Sequence, residues 1–210
     1  MTDQQQKPRL IIVAGPNGAG KTTITEKLLR HEWMTGCEYI NPDLIARNKF
    51  GDWNSPEAVV KAADAAKNIR EKCLNSRTDM AFETVFSSDE KLEFVQRSKS
   101  AGFFIRLFFV CTNDPSINAQ RVAQRVMGGG HDVPIPKIIS RYYRAITNCI
   151  QAVPLTDRIY FYDNSETDAD PRLLFRVSDG KIAKIYSEPT PWSKGIAEAV
   201  SGSLLRPYDG

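Results

Sequence analysis

The stretch Gly15-Pro16-Asn17-Gly18-Ala19-Gly20-Lys21-Thr22 limits what this chain can fold into more than any other segment. It fits the pattern G-x-x-x-x-G-K-[ST]. It follows a β-branched run, Leu10-Ile11-Ile12-Val13-Ala14, and leads into a segment of helical character from Gly20 to Arg30. A strand before and a helix after are the context the pattern needs. Its glycines let backbone N–H groups curl around a phosphate, and the helix N-terminus adds favourable partial charge. Lys21 would bridge the β- and γ-phosphates of a nucleotide, and the Thr22 hydroxyl would ligate Mg²⁺. The expected nucleotide-binding residues are therefore Gly15, Pro16, Asn17, Gly18, Ala19, Gly20, Lys21, Thr22 and Thr23, with Thr22 as metal ligand.

Further along, short apolar runs alternate with segments of helical spacing. Strands are expected at Glu38–Ile40, Met80–Val85, Phe103–Val110 and Ile159–Tyr162. Pro42 is placed to start a helix. Ser55-Pro56-Glu57 combines a cap, a proline at the first helical position and an acid in the first turn. Val59, Ala63, Ala66, Ile69 and Cys73 then define one face of a helix to about Asn75. Ser87-Ser88-Asp89-Glu90 reads as a capping box. Pro115–Val126 and Ile138–Ile150 read as helices, separated by a glycine-rich mobile loop from Met127 to Pro136. Leu173–Val177 and Ile182–Tyr186 flank Ser178-Asp179-Gly180, a hairpin signal, and a short helix from Ser193 to Val200 closes the chain. Alternation of this kind predicts an α/β fold: three layers, a mostly parallel sheet, helices on both faces and a small C-terminal β-hairpin extension. One domain is expected over residues 1–210, with a core at 9–165 and an extension at 166–210.

The 210 residues carry a net charge of +3, which suits anionic ligands but is too weak an excess to point to nucleic acid. Cys37, Cys73, Cys111 and Cys149 lie far apart, and His31 and His131 are the only histidines, so zinc-ligand spacing is absent. Wide cysteine spacing in a chain of this size reads as reduced thiols, with Cys111 in the core. The polar start and the shortness of the apolar runs lead to the expectation of a cytoplasmic protein that does not enter a membrane.

Several segments gain meaning together. Ala14–Thr23 is followed in order by Ile40-Asn41-Pro42-Asp43-Leu44-Ile45-Ala46, Phe82-Glu83-Thr84-Val85-Phe86-Ser87, Gly129-Gly130-His131-Asp132-Val133-Pro134, Arg141-Tyr142 and Tyr162-Asp163-Asn164-Ser165. In this combination the chain resembles the zeta-toxin-like P-loop kinases, with the branch labelled predicted ATPases as the best fit, over about Arg9 to Ser165. The resemblance implies transfer of a phosphoryl group from ATP, with Mg²⁺, to a sugar hydroxyl of a UDP-activated amino sugar such as UDP-N-acetylglucosamine. It implies that Asp43 is the general base and that Glu83-Thr84 binds substrate. The lid arginine falls on Arg125, with Arg121 as the alternative. His131 stands where better-known members carry a second lid arginine, and Arg141 is a candidate to compensate. If the chain is a toxin, a small antitoxin would block its nucleotide site.

The residues also have readings of their own. A carboxylate after the second strand, beside the phosphate loop, lies where ligands of doubly wound sheets collect and could accept a hydroxyl proton. Asn41-Pro42-Asp43 reads equally as a turn and helix start. Glu83 would bind substrate, hold Mg²⁺ through water, or be a solvated strand end. Arg121, Arg125, Arg141 and Arg144 flank the glycine-rich loop as the cations of a phosphate lid would, or as charges on solvated helix faces. Asp163-Asn164 reads as a turn, with contact to the adenine as the alternative. Other small-molecule phosphotransferases, such as chloramphenicol, shikimate or nucleoside kinases, share the early aspartate, and an ATPase without toxin activity is a further alternative. No L-S-G-G-Q signature and no N-K-x-D motif occur, which argues against a transport ATPase and a GTP switch. Lys21 is the only charge built into the loop, so Lys21→Ala is expected to abolish ATP turnover. Turnover at the wild-type rate in a coupled ADP-release assay would overturn the assignment of the loop.

Overall fold

The computed structural model describes residues 7–50, 55–128 and 133–201. Leu10 to Ala14 are all buried, as the continuous apolar run requires of a strand covered on both faces. This strand, β1 (Arg9–Ala14), pairs in parallel with β3 (Met80–Thr84) on one side and β4 (Phe104–Cys111) on the other. β2 (Glu38–Ile40) joins β3 in parallel, and β5 (Arg158–Asp163) joins β4 in parallel. β6 (Arg172–Ser178) and β7 (Lys181–Ile185) extend the same sheet antiparallel, giving the order β2-β3-β1-β4-β5-β6-β7. The Asp179-Gly180 turn between them has positive φ at both residues, 50° and 73°. That is the backbone a tight two-residue hairpin requires.

Helices occupy both faces. They are α1 (Lys21–Leu29), α2 (Pro42–Lys49), α3 (Pro56–Ser76), α4 (Asp89–Ser100), α5 (Pro115–Met127), α6 (Ile135–Ala152) and α7 (Pro191–Val200). The larger of the two cores unites Leu10, Ile12, Phe82, Phe109 and Phe161 from the sheet with Phe94, Tyr142, Trp192 and Ile196 from helices. The smaller, on the opposite face, sets Ile11, Val13, Phe108 and Tyr160 against Ile24 and Leu28 of α1. Side chains alternate between these layers along each strand.

The expected α/β architecture is therefore the one found, with three local corrections. The buried face of α3 is Ala58, Ala62, Ala66 and Cys73, one residue out of step with the expected Val59 and Ala63 at its start. Ser88 precedes α4, but its hydroxyl makes no capping bond; its carbonyl accepts the Lys91 N–H at 3.1 Å and Asn148 Nδ2 at 3.3 Å. The expected loop ends early, because α6 begins at Ile135 and takes Pro136 into its first turn, where a missing N–H costs nothing. Residues 129–132 of that loop lie outside the described residues.

The four cysteines form no disulfide. Cys111 is fully buried, and burial pushes its thiol up to about 12. No helix among the described residues is long and apolar enough to cross a membrane. Phe109 is fully buried on the central strand β4 and meets Phe161 and Trp192 at ring-centroid distances of 6.2 and 5.8 Å. Truncation there leaves a cavity between sheet and helix, so Phe109→Ala is expected to cost about 3–5 kcal/mol in a urea titration. A loss within the error of the titration would show that this layer is not closely packed.

Candidate active site

The strand-to-helix turn after β1 is built around groups that point away from its interior. Gly20 caps α1 with φ 86°, and a side chain on it would strike the Asn164 amide. Gly18 has φ 75°, and a Cβ there would sit 2.5 Å from the Asn118 carbonyl oxygen. Glycine is thus required at both positions by handedness and by space. The outward carbonyls of the turn are taken up by side chains. Asn118 Nδ2, on α5, donates to Asn17 O at 2.6 Å, while its Oδ1 accepts the Thr112 hydroxyl. Asn164 Nδ2, just past β5, donates to Ala19 O at 2.9 Å. Lys21 Nζ donates to Gly15 O and Pro16 O, each at 3.0 Å.

Lys21 therefore lies back across its own loop. Burial lowers its pKa to about 8; Glu83 opposes that shift, and Arg125 and Arg141 reinforce it. Thr22 is exposed on the first turn of α1, with Thr23 beside it partly covered.

A cleft of about 780 Å³ opens in front of the turn. Its lining includes Lys21, Thr22 and Glu26 from α1, Arg121 and Arg125 from α5, Asp43 and Arg47 from α2, and Glu83 and Thr84 from the end of β3. Cations and carboxylates share this cleft, and Glu83 lies close enough to Lys21 to favour its protonated form. Asp43 is exposed in the first turn of α2, whose start is fixed by Asn41: its Oδ1 accepts the N–H of Asp43 at 2.8 Å and of Leu44 at 3.4 Å. Asn41 Nδ2 also donates to the Tyr39 hydroxyl at 3.1 Å, and that hydroxyl donates to Glu83 Oε1 at 3.1 Å. Burial, with the nearby Glu83 carboxylate, raises the Tyr39 pKa well above the ordinary phenol value, so the proton stays on the donor. One asparagine thus links the positions of both carboxylates.

Thr84 ties the end of β3 to the loop. Its carbonyl accepts the Gly15 N–H at 3.3 Å, and its hydroxyl accepts the Phe86 N–H at 3.2 Å. Phe86 is buried with φ 60°, a left-handed backbone that costs a bulky residue about 1–3 kcal/mol. The Thr84 bond and a 3.1 Å bond from Asn148 Nδ2 to Phe86 O hold it there.

The expected arginines divide. Arg125 lines the cleft from an exposed position on α5. Arg121 also lines it, but its guanidinium donates to Asn164 O at 2.7 Å and Glu166 O at 3.0 Å, so it fastens α5 to the segment after β5. Arg141 reaches the loop itself, donating to Asn17 Oδ1 at 3.2 Å. His131 lies outside the described residues. Asn164, expected to turn the chain or to meet the adenine, braces the loop. Sequence reasoning missed Asn118, Asn148, Tyr39 and Asn41. A faint signal existed for two of them: Asn118 is four residues from buried Val122, and Asn148 four from buried Ala152, so both are polar residues in an apolar helical phase.

A family model described as zeta toxin matches residues 1–168. No curated protein sequence matches. Among solved structures, a chain of the AvrRxo1-ORF1:-ORF2 complex superposes with a TM-score of 0.64 at 19% identity, over 97% of this chain and 67% of that one. The same complex with ATP gives 0.64 at 16% identity, over 98% and 67%. A chain from the PezAT chromosomal toxin–antitoxin system of Streptococcus pneumoniae gives 0.56 at 16% identity, over 98% and 82%. At these identities the structural likeness is one of fold.

Phosphate binding would keep Lys21 protonated, against its tendency to release the proton near pH 8 when the loop is empty. Above pH 8, ATP binding must therefore take up a proton. ATP affinity is expected to be flat below pH 8 and to fall by up to about tenfold per unit above it. Calorimetric titrations at pH 7.5 and 9.5, in buffers of different ionisation enthalpy, check this; equal affinities with no proton uptake would contradict it.

Proposed function

The chain belongs to the zeta toxin family of P-loop kinases, and from that premise we propose that its cleft moves the γ-phosphoryl group of ATP onto a hydroxyl of a small molecule held against Asp43. Family membership makes the chain an ATP-dependent phosphotransferase; the acceptor, the base and the lid are our reading. The observation that carries it is that the carboxylates of Asp43 and Glu83 line the same cleft as Lys21, Thr22 and Arg125. A transferase has a direct use for such carboxylates, because its acceptor hydroxyl must be oriented and must lose a proton.

Asp43 is suited to take that proton. It is exposed to the cleft, and its backbone is fixed by the Asn41 cap rather than by its own side chain. As the acceptor oxygen bonds to the γ-phosphorus, the bond to the bridging oxygen of ADP breaks and ADP leaves with the electron pair. Lys21 and Arg125 would offset the negative charge on the transferring group, with Arg141 as a further cation at the loop tip. Lys21 must first exchange the Gly15 and Pro16 carbonyls for phosphate oxygens. Glu83, held by Tyr39, would orient the acceptor together with Thr84.

Mg²⁺ fits this donor set. The Thr22 hydroxyl and the carboxylates of Glu83 and Asp43 are hard oxygen donors at one cleft, and Mg²⁺ commonly binds through few protein oxygens plus phosphates and water. When bound through Thr22, the ion would neutralise charge between the β- and γ-phosphates. The acceptor class to test first is a UDP-activated amino sugar such as UDP-N-acetylglucosamine. The partner that accompanies this reading is a small antitoxin protein covering the nucleotide site.

Two measurements test the proposal. Incubation with ATP, Mg²⁺ and a panel of nucleotide sugars and other small alcohols, read by mass spectrometry, is expected to show one acceptor gaining a phosphoryl group; ATP loss with every acceptor unchanged would leave an ATPase instead. Asp43→Asn is expected to bind ATP as the wild type does while lowering transfer by at least about 10²-fold, the usual contribution of a general base. Transfer at the wild-type rate would remove Asp43 from that role.

A further inference from the structure

The C-terminal extension reaches the phosphate loop through a short series of direct bonds. Asp163 closes β5 and is buried at 4% exposure. Its carboxylate accepts four donors among the described residues. They are Trp192 Nε1 at 2.8 Å, Ser165 Oγ at 2.9 Å, the Ser165 N–H at 3.1 Å and the Thr190 hydroxyl at 3.3 Å. Two come from the segment that begins α7, and two from Ser165. A buried carboxylate needs such partners, so each donor also constrains where the carboxylate sits.

Asn164 lies between Asp163 and Ser165, and three of its polar groups are engaged. Its N–H donates to Cys111 O at 2.8 Å, its carbonyl accepts Arg121 Nη1 at 2.7 Å, and its Nδ2 donates to Ala19 O at 2.9 Å. The Asn164 amide is also the group that a side chain at Gly20 would strike. Ser165 adds one more tie, its Oγ accepting the Asn113 N–H at 2.8 Å.

We propose that Trp192 is a positioning residue for nucleotide binding: by holding the Asp163 carboxylate it fixes the Asn164 backbone, and Asn164 in turn holds the Ala19–Gly20 peptide of the phosphate loop in its binding shape. Trp192 belongs to the extension at 166–210, outside the strands and helices that carry the loop and the cleft. The extension thereby acts on ATP through the loop, without lining the cleft. This inference concerns nucleotide binding and does not depend on which acceptor the cleft takes.

A double-mutant cycle decides it, with Kd for Mg²⁺ and the non-hydrolysable analogue adenylyl imidodiphosphate as the readout in full-length protein. Trp192→Phe keeps the ring beside Phe109 and removes only the indole N–H. Asn164→Ala removes the brace. The brace variant is expected to bind about tenfold more weakly and Trp192→Phe about three- to fivefold more weakly, in keeping with the loss of single hydrogen bonds. The double variant should be no weaker than Asn164→Ala alone, because both act on the same peptide. Effects that multiply in full, or wild-type affinity in Trp192→Phe, would overturn the proposal. So would a lowered Tm with unchanged affinity, the mark of a merely structural contact. Should Trp192→Phe fail to fold, Ser165→Ala, which removes a different donor from the same carboxylate, takes its place in the cycle with the same criteria. Failure of acceptor phosphorylation with this pattern of affinities intact would count against the proposed transfer reaction only.

Discussion

A phosphate loop presents its N–H groups inward only if its carbonyls, turned outward, find donors. That requirement organises this structure. Asn17 O is met from α5 by Asn118, Ala19 O from the end of β5 by Asn164, and Gly15 O and Pro16 O by Lys21. A buried carbonyl without a donor costs about 1–3 kcal/mol, so losing Asn118 or Asn164 would act on the loop before it acted on the ligand. The sheet order follows the same need. With β1 between β3 and β4, the loop stands against the ends of three strands, and β5 delivers Asn164 from one strand further out.

Local chemistry made much of this legible in the sequence. The apolar run of β1, the G-x-x-x-x-G-K-[ST] pattern, Pro42 after Asn41, and Asp179-Gly180 between two apolar runs all state their conformations within a few residues. The structure has each of them where it was expected. The early part of α3 was misread because its alanines on both faces give little apolar contrast, so a frame set by Val59 was one residue off. The braces were invisible for a different reason: Asn118 and Asn164 meet the loop across 101 and 145 residues of sequence. Nothing in either neighbourhood names the carbonyl it will serve.

The candidate site shows the same limit. Its cations and carboxylates were found as residue types, because the resemblance and the strand ends marked them. Their couplings were not. Asn41 serves the Asp43 helix start and, through Tyr39, the Glu83 carboxylate, a link that exists only because β2 and β3 lie side by side in register, with Tyr39 opposite Ala81. Arg121 and Arg125 are four residues apart on one helix and both line the cleft, yet Arg121 also fastens the segment after β5. Spacing alone gave them the same standing.

The hairpin of β6 and β7 bears on a question separate from catalysis, namely how the molecule avoids sticking to its own kind. Without it, β5 would end the sheet, offering the unpaired edge of Arg158–Asp163, with Tyr160, Phe161 and Tyr162 in its middle, to any strand nearby. With it, the margin is Lys181-Ile182-Ala183-Lys184-Ile185, where two ammonium groups discourage a further strand. The opposite margin, β2, is only three residues long. Trimming the chain back to its core would therefore produce an aggregating protein before an inactive one, and insolubility of such a fragment would say nothing about its chemistry.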